Sequence, residues 1–123
     1  RSVMEAADAT LVASGTASLE VALYKKPMVI AYKTSRTSAF IYKKVALLPW
    51  IGLPNILLND SFIPEVLQND ATPDGLADAL LSEMNRYASA ASVVERLTEL
   101  HHSLIRDTPS VCAQAIAQVI GRR

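Results

Sequence analysis

Two short apolar runs flank a helical stretch near the start of the chain, and this arrangement restricts the possible folds more than any other feature. Residues 9–13 (Ala-Thr-Leu-Val-Ala) form a brief apolar run, which predicts a buried strand. Ser14-Gly15-Thr16 is a tight turn. Residues 17–25 then carry Leu19, Ala22 and Leu23 at i, i+3 and i+4, which predicts a helix with those three on its core face. Pro27 stops the helix, and residues 27–32 (Pro-Met-Val-Ile-Ala-Tyr) form the second apolar run. A strand, a helix and a strand in so short a span make a βαβ unit with parallel strands, because the helix returns the chain to the edge it started from.

The remaining periodicity is mostly helical. Residues 2–7 read as the end of a helix. Residues 37–48 predict an amphipathic helix with Ile41, Val45 and Leu48 on one stripe, Lys43 and Lys44 off it, and Pro49 as its stop. Gly52 and Pro54 interrupt residues 50–58, which predicts a loop plus a short strand, and residues 63–69 predict a short helix. Thr72-Pro73-Asp74 is a helix start with a hydroxyl cap, a proline in the first turn and an early acid. Leu76, Leu80, Leu81 and Met84 are its expected buried side. Val93, Leu97, Leu100 and Leu104 form a second helical seam, and residues 86–92 are the expected joint between the two helices. A last helix starts at Thr108-Pro109, carries Cys112, Ile116, Val119 and Ile120 on one stripe, and closes at Gly121. The expected class is α/β: parallel strands followed by a helical C-terminal segment, with residues 1–70 as a partial nucleotide-binding α/β part and residues 71–123 as the helical part of the same domain.

Composition excludes several functions. The 123 residues are 50% hydrophobic, enough to bury a core, and they correspond to one domain at most. A single Cys excludes a disulfide scaffold and a multi-cysteine zinc site. No apolar run is long enough to span a bilayer. The chain opens on Arg1 with no leader pattern, as if cut from something longer. Net charge is zero, but it is unevenly spread: Lys25, Lys26, Lys33, Arg36, Lys43 and Lys44 lie in a stretch without acids, whereas residues 60–107 hold nine acids and three Arg. The early stretch attracts anions such as phosphates or acidic headgroups, or is simply a solvated basic face. No nucleic-acid partner is expected.

The chemistry concentrates at Ser14, Gly15, Thr16 and Ala17, where a strand gives way to a helix. Ligands of parallel sheets bind at the carboxyl ends of the strands. A helix start there offers unpaired N–H groups and partial positive charge, and Gly15 admits a close approach, so a diphosphate fits. The plainer reading is a capped turn, since the segment is neither a P-loop nor a Gly-x-Gly-x-x-Gly fingerprint. Glu20, a turn further on and off the core face, can accept from two vicinal ribose hydroxyls, or is a solvated acid near the helix start. Asn55 in Leu53-Pro54-Asn55 can bond a sugar or phosphate, or close a turn. Lys33, at the end of the second run, can face the same crevice or be plainly exposed. His101 and His102 lack ligand partners at suitable spacing, so no metal is expected. His101 belongs at the edge of the seam and His102 outside it, and Cys112 reads as core. Residues 37–58 combine Lys43 and Lys44 with Phe40, Ile41, Trp50 and Ile51, which suits a membrane interface or a core helix with a charged outer face. No catalytic base is apparent.

Taken in order, the segment from Ala7-Asp8-Ala9 to Ser18-Leu19-Glu20, then Lys26-Pro27-Met28-Val29-Ile30-Ala31-Tyr32-Lys33, Leu53-Pro54-Asn55-Ile56-Leu57 and Pro64-Glu65-Val66-Leu67-Gln68 resemble the lipid-A-disaccharide synthase family. The resemblance covers most of the chain and is closest from Ala7 to Gln68. It implies the C-terminal, UDP-binding part of a GT-B-type glycosyltransferase with a Rossmann-like fold. The implied enzyme joins UDP-2,3-diacylglucosamine to 2,3-diacylglucosamine 1-phosphate, with inversion and without metal or cofactor, giving lipid A disaccharide and UDP. The resemblance further implies diphosphate binding by Ser14, Gly15, Thr16 and Ala17, ribose binding by Glu20, and an active-site crevice that includes Asn55, with Lys33 where the family often has Arg. The implied catalytic carboxylate lies in an N-terminal half absent from this chain, so the fragment alone is expected to be inactive. The implied location is cytoplasmic, peripheral to the inner face of the inner membrane. Because some members exchange C-terminal helices, a homodimer through the late helices is an implied partner. Two other classes fit less well: another UDP-sugar GT-B enzyme, such as a 2-epimerase or a lipid glycosyltransferase, and a non-catalytic α/β regulatory module.

Overall fold

The computed structural model describes residues 2–13, 15–35 and 48–121. In chain order its elements are α1 (Ser2–Ala6), β1 (Thr10–Val12), α2 (Gly15–Tyr24), β2 (Met28–Tyr32), α3 (Leu53–Leu58), β3 (Glu65–Leu67), a 3-10 turn (Gln68–Asp70), α4 (Pro73–Ser89), α5 (Ala91–Leu104) and α6 (Thr108–Ile120). The predicted helix over residues 37–48 falls almost wholly outside the described residues.

The βαβ unit forms as expected. β1 pairs parallel with β2, Thr10 opposite Met28 and Val12 opposite Ile30. β2 also pairs parallel with β3, Ile30 opposite Glu65 and Tyr32 opposite Leu67. The sheet order is β1-β2-β3, so β2 is central, and its Met28, Val29 and Ile30 are all buried. A strand buried on both faces needs a continuous apolar run, which residues 28–30 supply.

Two expectations about residues 50–70 are corrected. The predicted loop plus strand over 50–58 contains helix α3, with Pro54 in its first turn, where a missing N–H costs nothing. Asn59, in the left-handed conformation at φ 51°, closes it. The predicted helix over 63–69 is instead β3 followed by a single 3-10 turn. Pro64 disfavours helical backbone at Ile63, and the free edge of β2 takes up the next residues as a strand, with Ile30 N donating to Pro64 O at 2.9 Å.

Helix faces are shifted rather than lost. α2 buries Ser18, Val21 and Ala22, one position round from the expected Leu19–Ala22–Leu23 face. Thr72 caps α4 as expected, its Oγ1 accepting from Gly75 N at 3.1 Å. Leu81, expected inside, is 59% exposed, and Met84 is also exposed. The residue α4 buries is Glu83. The break between α4 and α5 falls at Ala90, inside the expected joint. α5 buries Val93, Leu97 and Leu100, and Leu97 and Leu100 enter the same cluster as Val12, Val21, Ala22, Met28, Ile30 and Ile63. Leu104 falls outside it and is exposed. α6 starts and stops where predicted, but no residue of it is buried, and Cys112, expected in the core, is exposed.

Glu83 has a partner of its own. Arg86 Nη2 donates to Glu83 Oε2 at 2.8 Å and to Phe62 O at 3.0 Å, and the guanidinium lies 4.7 Å from the centre of the Phe62 ring. Burial pushes the Glu83 carboxyl above its ordinary value, outweighing the attraction of Arg86. Burial also pushes the Tyr87 hydroxyl up to about 12. A raised carboxyl binds its proton more tightly in the folded state than in the unfolded state. Its contribution to stability is therefore complete below the unfolded pKa and is lost as pH rises through the folded one. Thermal unfolding of the wild type and Glu83→Gln should therefore diverge in favour of the wild type as pH falls from about 7 to about 4. A difference in melting temperature that stays constant over that range would contradict the assignment.

Candidate functional site

The parallel sheet brings the carboxyl ends of β1 and β2 to one edge, and the residues singled out by sequence follow those ends. α2 begins at Gly15, within the expected turn, directly after β1; Ser14 itself lies outside the described residues. Lys33 is exposed and follows the last residue of β2. The next amide, Thr34 N, donates to Gln68 Oε1 at 3.3 Å, which ties the exit of β2 to the exit of β3. Gly15, Thr16, Ala17 and Lys33 thus belong to one sheet edge.

The first turn of α2 is built from its own residues. Ser18, fully buried, donates its Oγ hydrogen to Gly15 O at 2.6 Å. The buried face of the helix is therefore the Ser18–Val21–Ala22 side, and Thr16 and Glu20 lie on the exposed side, one turn apart. A group bound at the helix start has the Glu20 carboxylate within one turn of it along the same face. Gly15 is hemmed in on one side: a Cβ there would come within 3.3 Å of Ile51 O. The segment before α3 packs against the start of α2.

That segment is held by a polar node the sequence reading did not anticipate. Asn55 is fully buried. Its Nδ2 donates to Ile63 O at 2.7 Å and to Glu65 Oε1 at 2.9 Å, and its Oδ1 accepts from Ile63 N at 2.7 Å. The amide thus pairs with the Ile63 backbone as a neighbouring strand would. Glu65 also accepts from Ile51 N at 2.8 Å and from Gly52 N at 2.9 Å. The residue that meets the α2 start is Ile51, through its carbonyl, while Asn55 faces the interior, toward Ile63 and Glu65. Glu65 and Ser18 are the residues sequence reasoning missed. Glu65 collects donors from residues 10 to 14 positions earlier in the chain, and Ser18 turns to the buried side of its helix, so neither role has a local signal.

Elsewhere, His101 Nδ1 lies 3.2 Å from Lys25 Nζ, and His102 is exposed. Among the described residues no group of three or more His, Cys, Asp or Glu could hold a metal ion. No described helix is long and apolar enough to cross a membrane.

A parallel sheet with a helix start at the carboxyl ends of its strands defines an α/β protein with a partial Rossmann-like fold. A family model described as lipid-A-disaccharide synthetase matches residues 1–117. The chain is 50% identical to the lipid-A-disaccharide synthase of Bordetella avium, over 96% of its own length and 31% of the relative's. It is 53% identical to that of an Azoarcus species (92% and 29%) and 51% identical to that of Aromatoleum aromaticum (97% and 30%). The chain belongs to the lipid-A-disaccharide synthase family, and it spans about a third of the length of the curated relatives it matches.

The node around Asn55 can be tested by stability. Asn55→Leu should cost roughly 2–4 kcal/mol in denaturant unfolding, because it orphans the Ile63 N–H and C=O. Asn55→Asp should cost at least as much despite its matching shape, since a second carboxylate would then face Ile63 O and Glu65. Near-native stability of either variant would show that the node contributes little.

Proposed function

We propose that this chain is the C-terminal part of a lipid-A-disaccharide synthase and forms its share of the UDP site. The whole enzyme would transfer the sugar of UDP-2,3-diacylglucosamine to 2,3-diacylglucosamine 1-phosphate, forming lipid A disaccharide and releasing UDP. The observation that carries the reading is the start of α2: Gly15 opens a helix at the strand ends, and Thr16 and Glu20 share its exposed face one turn apart. The family match and the names of the relatives favour this branch over another UDP-sugar enzyme or a regulatory module.

The reaction breaks the bond between the anomeric carbon and the diphosphate, and negative charge grows on the departing UDP. Fixed dipoles can meet that charge. The N–H groups around Gly15, Thr16 and Ala17, with Ser14 before them, supply partial positive charge that is already oriented. Lys33, on the same sheet edge, adds a full charge without the fork that Arg offers. Glu20 accepts from the ribose hydroxyls and so sets where the diphosphate rests. Asn55 shapes the crevice wall through the segment it anchors. The catalytic carboxylate comes from the other half of the enzyme, so this part alone would not transfer sugar. In this reading the enzyme works at the cytoplasmic face of the inner membrane, where it would meet its acylated substrates, and the exposed last helix, α6, suits a homodimer.

Calorimetric titration of the full-length protein with UDP tests the assignment. The wild type should bind, and Glu20→Ala should weaken binding about tenfold, the worth of hydrogen bonds to a charged acceptor. Unchanged affinity would remove Glu20 from the site.

A further inference from the structure

We infer that Glu65 is a positioning residue for the diphosphate-binding turn and acts through residues 51–55. The inference rests on the UDP-site reading above. Glu65 stands in β3, on the strand that pairs with the core strand β2. Its carboxylate gathers three donors: Ile51 N at 2.8 Å, Gly52 N at 2.9 Å and Asn55 Nδ2 at 2.9 Å. Only an acceptor-only group takes three donors at once without presenting a hydrogen to any of them. Gly52 is the N-cap of α3, and Glu65, from a distant strand, accepts from its amide as the carboxylate of a capping box does from within the helix.

The held segment has no slack in two further directions. A Cβ on Gly52 would collide with Ile30 Cδ1, so the loop lies directly on the buried middle of β2. On its other side Ile51 O rests against Gly15, at the first residue of α2. The segment is thus wedged between the core strand and the helix start, with Glu65 fixing its amides. If the carboxylate is lost, two backbone N–H groups repel or lose their acceptor, the Ile51 carbonyl shifts, and the surface supporting Gly15 shifts with it. The amides of that turn are the ones that must point at the diphosphate.

The test uses the full-length protein and reads the UDP dissociation constant, the binding stoichiometry and the KM for the UDP-sugar donor in wild type, Glu65→Gln and Glu65→Asp. Glu65→Gln keeps the shape and turns an N–H toward an N–H donor. It should weaken UDP binding and raise donor KM about tenfold at unchanged stoichiometry, the equivalent of one lost charge-assisted hydrogen bond. Glu65→Asp, a shorter carboxylate, should recover part of the loss. A purely structural residue would lower the melting temperature and the fraction of competent molecules but leave both constants as they were. That result overturns the positioning role and leaves the UDP site standing. Failure of the wild type to bind UDP overturns the site reading and this inference together. Should Glu65→Gln not fold, amide hydrogen exchange in the wild type decides: saturating UDP should slow exchange at Ile51 and Gly52, and unaltered exchange there overturns the inference.

Discussion

Everything described depends on the burial of β2 between its two neighbours. Met28, Val29 and Ile30 are enclosed, and the strand satisfies its backbone only by pairing on both sides. The pairing with β1 sets where the chain emerges into α2. The pairing with β3 delivers Glu65 to the loop in front of α3. Weakening this strand would therefore disturb the candidate site before it touched any residue that faces a ligand. Parallel pairing also fixes the polarity: all three strands finish at one edge, so the residues that follow them are gathered there.

The first half of the fold was readable because its signals are local and agree with one another. Apolar runs, a stopping proline and helical spacing all point to one βαβ unit, and residues 10–32 adopt it. The Thr72-Pro73 start was equally legible, since its cap bond reaches only to Gly75. The errors fall where distant partners decide. Residues 50–58 contain Gly and Pro, which read as interruption, yet Pro54 sits in the one helical turn that accepts it. Residues 63–69 have no strong period of their own and became strand because β2 offered an open edge. Glu83, rather than the expected Leu81 and Met84, is the residue α4 buries, and its partner Arg86 is held in turn by Phe62 from another segment.

The site shows the same division. The turn at Gly15 and the carboxylate at Glu20 follow from where a strand ends and how a helix winds, so both were visible in the sequence. Asn55 was noticed for its polarity, but whether it faced a ligand or the backbone could not be decided without Ile63, eight residues on in the chain and in direct contact in space. Glu65 was quoted only as part of a resembling segment, because nothing local distinguishes a carboxylate that collects three donors from one on the surface.

α6 stands apart from this economy. Its apolar side, Ile116, Val119 and Ile120, is between 60% and 70% exposed. The features that keep it helical are its own: Asp107 accepting from Ser110, Pro109 in the first turn, and a run of small residues. Since the sheet gains nothing from that stripe, mutations along it leave the core's free energy almost untouched. An apolar stripe so uncovered carries a cost in solubility that the packing of the rest of this chain does not offset.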